Sequence, residues 1–334
     1  MDALSDVLAA IRLSGGVFLD AEFTAPWCIA AKVGPEDCRP LGPVPAHIIA
    51  YHYVAAGHLV LQRPGAAPLA VAAGEIVLLP RNDPHILASA PGLRPVVVDT
   101  LVQPAASSGL ARLRYGGGGE ATQIICGFLG CEVPDNPLVA TLPAALRLAV
   151  RQGTAGVWME QSFRLAAEEF AEHRDGSAAM LGKLAELLFV EAVQGYLATL
   201  PDDQTGWLAG LRDPIVGKAL ALLHTRVAEA WTTETLARQV GLSRSCFAER
   251  FTMLIGMPPM RYLTNWRMQL AAASLRKGGR SIAQIAYDVG YESDAAFNRA
   301  FKRAYGTTPS AWRKQGREDG EVPAPPGGLY RRKS

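Results

Sequence analysis

The sequence contains no run of about eighteen apolar residues, which excludes a helical membrane span. It has five cysteines in 334 residues, an odd and sparse set that argues against a disulfide framework. The start, Met1-Asp-Ala-Leu-Ser-Asp-Val-Leu, is acidic and amphipathic and lacks the basic, apolar order of a signal peptide. The expected setting is therefore a reducing bacterial cytoplasm. No Walker motif, no Gly-x-Gly-x-x-Gly turn between strand and helix and no Gly-x-Ser-x-Gly elbow is present, which removes the common nucleotide-binding and serine-hydrolase signatures. The run Tyr115-Gly-Gly-Gly-Gly119 accordingly reads as a flexible connection and not as a phosphate cradle.

What the chain does contain is a repeat. Leu236-Ala237, Val240-Gly241, Phe247, Phe251 and Gly256 return as Ile285-Ala286, Val289-Gly290, Phe297, Phe301 and Gly306. The offset is 49 residues before the turn and 50 after it, so the second turn is longer by one residue. In each copy the apolar spacing predicts a short helix, a glycine that ends it, a serine cap (Ser243, Ser293) and a second helix with a polar start. Pro259 and Pro309 close the two copies at the same relative place. Two helix–turn–helix units in tandem suit two successive major grooves of DNA.

Charge agrees with that reading. Residues 211–315 hold 16 basic and 7 acidic side chains, whereas residues 1–210 hold 13 and 21. The near-neutral total of +2 thus joins a basic module, expected of a phosphate binder, to an acidic one. The outward positions of the first recognition helix are Arg244, Ser245 and Glu249, with Arg250 near phosphate. Those of the second are Ser293, Asp294, Asn298 and Arg299, with Lys302 and Arg303 as phosphate contacts. Glu249 can accept from a cytosine amine or stand as a solvated charge. Cys246, on the first recognition helix, reads as neutral packing whose modification would block DNA.

The segment from about Leu211 to Lys314 resembles the DNA-binding domain of AraC/XylS-family transcription regulators. The most specific part runs from Ile282-Ala-Gln-Ile-Ala286 through Gly290-Tyr291 to Phe297, Phe301, Gly306 and Pro309. The resemblance implies seven helices, with a long one near Pro259–Lys277 holding the units roughly 34 Å apart. Glu249 departs from the basic or amide residue common at that place.

Apolar segments at His47–Val54, His58–Gln62, Glu75–Leu79, Val96–Val102 and Gln123–Phe128, punctuated by Gly and Pro, predict a small barrel or sandwich after a helix at Leu4–Leu13. Gly74-Glu-Ile-Val-Leu-Leu-Pro80-Arg-Asn-Asp-Pro-His85 resembles the second cupin motif, and Tyr51-His52-Tyr53 with Gly57 a reduced first one. With Trp27 and Cys126-Gly127, this resembles the cupin-type sensor arm of some AraC-like regulators. The overall expectation is an α+β chain. Residues 1–142 form a cupin-like effector-sensing domain, 143–205 a helical linker, 206–315 the double helix–turn–helix domain and 316–334 a disordered tail. In the linker, Val157–Glu172 and Met180–Leu200 resemble helices that dimerise such regulators or brace their two arms; packing onto the barrel is the alternative. Pro201–Gly206 reads as a hinge.

Three readings of the sensor stay open. His52 and His85, with Cys126 as a soft third ligand and His47 or His58 as a fourth, would suit zinc. They could instead be hydrogen-bonded barrel residues, or part of an organic-effector site at Trp27, Tyr51, His52, His85 and Cys126. A thiol near a histidine also suits an oxidant sensor, although Cys126 and Cys131 on one strand would face opposite sides. A cupin metalloenzyme lacks its full ligand set here, and a DNA-repair fusion lacks its cysteine cluster, so no catalytic residue is assigned. The expected partners are double-stranded promoter DNA, RNA polymerase, an effector (small molecule, metal or oxidant) and a second copy of the chain.

Overall fold

The computed structural model describes residues 3–11, 13–39, 43–97, 111–134, 136–149, 161–162, 165–166, 169, 174, 176–201 and 204–318. Much of the expected Val157–Glu172 helix and nearly all of the tail lie outside these residues. The chain divides into two compact units, one of residues 13–131 and 142–196, the other of 1–12, 132–141 and 197–334.

The first unit is built from strands β1 (Leu13–Thr24), β2 (Cys28–Ala31), β3 (His47–Ala56), β4 (His58–Gln62), β5 (Leu69–Ala72), β6 (Glu75–Leu79), β7 (His85–Ala88), β8 (Val96–Val97), β9 (Ala111–Gly116), β10 (Ala121–Cys131) and β11 (Leu146–Ala149). They form a six-stranded sheet, β11-β6-β3-β10-β1-β9, and a five-stranded sheet, β5-β4-β7-β2-β8. Pairing is antiparallel except at β1–β9 and β2–β8. Alternation sets the faces. Ala50 and Val54 of β3 join Leu19, Phe23, Ile29, Leu61, Leu87 and Ile124 in one apolar core drawn from both sheets. Residues 146–149, expected to be helical, are instead a strand: the Leu-Arg-Leu alternation pairs them with Ile76–Leu78 of β6. Of the expected Val96–Val102 segment, only Val96–Val97 falls within the described residues.

The glycine run is also corrected. The backbone N–H groups of Gly117 and Gly119 donate to the carbonyls of Thr24 and Ala25 at 2.8 Å, and that of Gly118 to Thr24 Oγ1 at 3.0 Å. A Cβ on Gly119 would come within 2.6 Å of the Ala25 carbonyl. The segment is a pinned crossover between β9 and β10 that passes the end of β1. Its composition reflects close approach and not mobility.

Helix Ser177–Thr199 covers the expected Met180–Leu200 except its last residue. Leu181, Ala185, Leu188, Phe189, Ala192 and Val193 are buried, and at Gly182 the helix backbone meets Gly15 of β1 so closely that a Cβ on Gly15 would lie 2.5 Å from the Gly182 carbonyl. The contact at Gly15 and the burial of most of the stripe follow the packing alternative, with Leu187 and Met180 left exposed.

The second unit is helical. A helix at Ala3–Ala10 packs on Pro214–Thr225, and residues 207–212 form a short helix before it. From Pro214 on, seven helices are described: αA (Pro214–Thr225), αB (Thr233–Gln239), αC (Arg244–Ile255), αD (Pro259–Lys277), αE (Ile282–Asp288), αF (Asp294–Tyr305) and αG (Pro309–Glu318). The serine caps form as expected: Ser243 Oγ accepts from the N–H of Cys246, and Ser293 Oγ from that of Ala296. Gly256 and Gly306, both left-handed, end αC and αF. Phe297, Phe301, Tyr305 and Trp312 pack with Met268, Leu275, Ile285 and Val289 in the second copy's core.

Candidate nucleic-acid interface and effector site

Each copy holds its second helix by burying two phenylalanines one turn apart, Phe247/Phe251 in αC and Phe297/Phe301 in αF, all fully buried. That burial turns the opposite face outward. Arg244, Ser245 and Glu249 of αC stand exposed, as do Asp294, Arg299, Lys302 and Arg303 of αF and its cap Ser293. Asn298 is half-buried, and its amide donates to the Asp294 carbonyl at 2.8 Å. Cys246 is exposed, a correction to the packing role expected of it.

Arg250 departs from expectation. Its guanidinium meets Asp213 through Nε at 3.1 and 3.2 Å and through Nη2 at 2.5 Å. Asp213 also caps αA, accepting from the N–H groups of Ile215 and Val216. Burial alone would raise the Asp213 pKa; the Arg250 guanidinium and the two amides outweigh it and hold the carboxyl below its ordinary value. Arg250 thus ties the recognition helix to αA and is not presented as a phosphate contact.

Sequence reasoning missed three features. Asp213 was signalled by Asp-Pro, a cap followed by proline at the first helical position. Met253 and Tyr287 are large apolar side chains left 64% and 76% exposed on αC and αE, a property no sequence pattern reveals. A buried polar network joins the helices of the first copy. Trp207 Nε1 donates to Tyr262 Oη at 2.7 Å, and Tyr262 Oη lies 2.7 Å from Nε2 of His224, whose ring stacks on Trp266. Burial lowers the His224 pKa to about 3, so the ring is neutral.

In the β unit, His52, His85 and Cys126 come together from β3, β7 and β10. His52 Nδ1 lies 3.0 Å from Cys126 Sγ, His52 Nε2 lies 2.7 Å from His85 Nε2, and His85 Nδ1 lies 2.9 Å from the Asp83 carbonyl. Burial lowers the pKa of both histidines and raises that of the Cys126 thiol, so all three groups are neutral. The proton positions then follow from the chain's one fixed end. A carbonyl only accepts, so His85 Nδ1 carries hydrogen and its Nε2 accepts. His52 Nε2 therefore donates, leaving Nδ1 to accept from the Cys126 thiol. Every polar atom of the chain is matched without a charge.

This arrangement does not fit zinc. Cys126 and His85 address opposite nitrogens of His52, and one ion cannot meet both. His47 is held on the Pro80 carbonyl at 2.6 Å, and His58 is exposed beside Glu120. Among the described residues, no group of three or more His, Cys, Asp or Glu side chains is placed to hold a metal. Tyr51 is likewise corrected. Next to His52 on one strand, it faces the other way, and its hydroxyl donates to the Gly16 carbonyl at 3.2 Å. Trp27 shares the apolar core with Cys126, stacks on Phe23 and keeps its buried indole N–H without an acceptor. Cys126 and Cys131 lie on one uninterrupted strand, on opposite faces, and all five cysteines are free thiols.

A duplicated helix–turn–helix with two capped, outward-facing recognition helices defines a DNA-binding module. Comparison with known proteins carries the assignment further. Residues 2–198 match a cupin family model and residues 236–315 a helix-turn-helix domain model. An AraC-like transcription regulator of Streptomyces lividans is 31% identical over 316 residues, 94% of this chain and 98% of that one. The RCS-specific HTH-type transcriptional activator RclR of Escherichia coli is 26% identical across 95% of this chain and 99% of its own length. The crystal structure of the AdpA DNA-binding domain in complex with a target DNA is 29% identical over 30% of this chain and 93% of that one, at a TM-score of 0.29. The chain belongs to the AraC-like family of DNA-binding transcription regulators. Among the described residues, no helix is long and apolar enough to cross a membrane.

Proposed function

We propose that the chain regulates transcription by placing αC and αF in successive major-groove faces of promoter DNA. The carrying observation is the repeated scaffold: two phenylalanine-anchored helices, each capped by serine, each with its polar face exposed. Arg244, Ser245 and Glu249 address bases from αC; Ser293, Asp294, Asn298 and Arg299 do so from αF. Lys302 and Arg303 meet phosphate. A second copy of the chain and RNA polymerase are the protein partners of this reading. Fluorescence anisotropy at fixed salt tests it, using a duplex that the wild-type chain selects from a random pool. Removal of either arginine, Arg244→Ala or Arg299→Ala, weakens binding by ~1–3 kcal/mol if it reads a base; unchanged affinity for both contradicts the reading.

The β unit is the effector-sensing part, and a small molecule is the effector class its interior favours. Support comes from the unpartnered Trp27 N–H and the neutral Cys126–His52–His85 chain in one apolar core. An oxidant attacks thiolate, and burial keeps Cys126 in the thiol form. Oxidant treatment of a chain that carries Cys246→Ser, which removes the exposed thiol on αC, should therefore leave DNA affinity unchanged. A loss abolished by Cys126→Ser would overturn this choice in favour of oxidant sensing.

A further inference from the structure

The joint between the two DNA-reading copies is closed by one side chain. Arg267 projects from the middle of αD, the helix that links them. Its Nε donates to the Val227 carbonyl at 3.0 Å and its Nη2 to the Glu229 carbonyl at 2.7 Å, both in the loop between αA and αB of the first copy. Its Nη1 donates to the Gly290 carbonyl at 3.2 Å, in the turn of the second copy. The guanidinium carbon also sits 5.8 Å from the centre of the Tyr291 ring.

The two copies meet directly at the same place. Gly290 has φ +83°, and a Cβ there would lie 2.6 Å from Arg267 Nη2 and 2.7 Å from the Ala228 carbonyl. The turn glycine of the second copy therefore touches the loop of the first with no side chain between them. Gly241, its counterpart in the first copy, has no neighbour within 4 Å of such a Cβ. The glycine of the first turn answers only to local backbone conformation, while that of the second is also part of a contact between copies.

Three planar donors in fixed directions, each on a carbonyl from a different residue, define an orientation as well as a distance. A lysine keeps the charge but cannot span three carbonyls. We propose that Arg267 is a positioning residue that fixes the register between αC and αF, and so determines the spacing of the two DNA half-sites that the protein accepts. This rests on the reading that both helices enter DNA. A rigid pair binds both half-sites without first ordering the joint, and that advantage is confined to DNA whose half-sites stand at the matching separation.

The test uses the full-length chain and the duplex it selects from a random pool, with the half-sites moved by one base pair closer, one farther and two farther. A further duplex has one half-site scrambled. Wild type should prefer the selected spacing by about tenfold over its neighbours. Arg267→Lys and Arg267→Met should flatten that preference to within about threefold, while thermal melting shows both variants folded and the scrambled duplex binds as it does to wild type. Gly290→Ala, which wedges the joint from the opposite side, should shift or flatten the preference in the same assay. If wild type discriminates spacing and all three folded variants discriminate it equally, the role of Arg267 is overturned. If wild type ignores both spacing and the scrambled half-site, the two-helix reading fails first, and this proposal with it.

Discussion

At equivalent places in the two helix–turn–helix copies, Arg244 corresponds to Asp294, Glu249 to Arg299, Thr252 to Lys302 and Met253 to Arg303. The frame beneath them hardly changes: paired phenylalanines, a serine cap, and a left-handed glycine at the end of the second helix. The copies therefore present different chemistry from one scaffold. The first carries its positive charge at the start of the recognition helix and diverts Arg250 inward to Asp213. The second concentrates Arg299, Lys302 and Arg303 toward the end of its helix, where Ala300 stands in place of Arg250. Their cores differ too. The first includes the polar His224–Tyr262–Trp207 network, whereas the second is an aromatic cluster of Phe297, Phe301, Tyr305 and Trp312. A shared apolar pattern sets the fold, and the surface around it sets the chemistry each copy presents.

The largest expected effect breaks the shared frame. Phe251→Ala and Phe301→Ala each remove a fully buried ring and should lower unfolding free energy by ~3–5 kcal/mol in urea titrations. A loss under about 1 kcal/mol in either copy would mean that its core tolerates a cavity and that the frames are not equivalent. Next comes pH, which separates the two cores. The folded pKa of His224, about 3, lies below its ordinary value of 6.5. Between those limits the unfolded chain binds a proton that the folded chain refuses, so stability is complete above about pH 6.5 and falls as pH drops toward 3. His52 and His85 are shifted the same way, so the informative quantity is the difference between wild type and His224→Phe. The variant should lose less stability over that range; parallel curves would show that His224 does not contribute.

The extent to which this contrast could be read from sequence follows from distance along the chain. Caps, turn glycines and phenylalanine spacing are local, so both copies were legible, while the long helix between them followed from the family resemblance. The partnership of Arg250 with Asp213 spans 37 positions, and that of His52 with Cys126 spans 74, and neither leaves a local trace. The histidines and Cys126 were legible as a group, yet their geometry around His52 was not, and that geometry removes zinc. Tyr51 and His52 are adjacent in sequence, but adjacency within a strand places the two on opposite faces. Composition does not distinguish a loose glycine loop from one pressed, as here, against Thr24 and Ala25.

Smaller effects sharpen the comparison at the surface. Asp213→Ala removes the αA cap and should cost about 1 kcal/mol, with the urea midpoint as readout. It has a further consequence confined to the first copy: freed of its partner, Arg250 should leave αC less firmly seated, and DNA affinity should fall although neither residue reads a base. An Asp213→Ala chain that is less stable but binds DNA as wild type does would limit the pair to folding. Smallest is Lys302→Ala, expected to reduce the slope of log affinity against log salt by about 1. An unchanged slope would remove Lys302 from the phosphate contacts.

Hydroxyl-radical footprinting of the full-length chain on its selected duplex tests whether both copies enter DNA together. Two protected blocks about one helical turn apart are expected, with Arg244→Ala weakening one block and Arg299→Ala the other. A single block, weakened by only one of the two substitutions, would contradict joint entry.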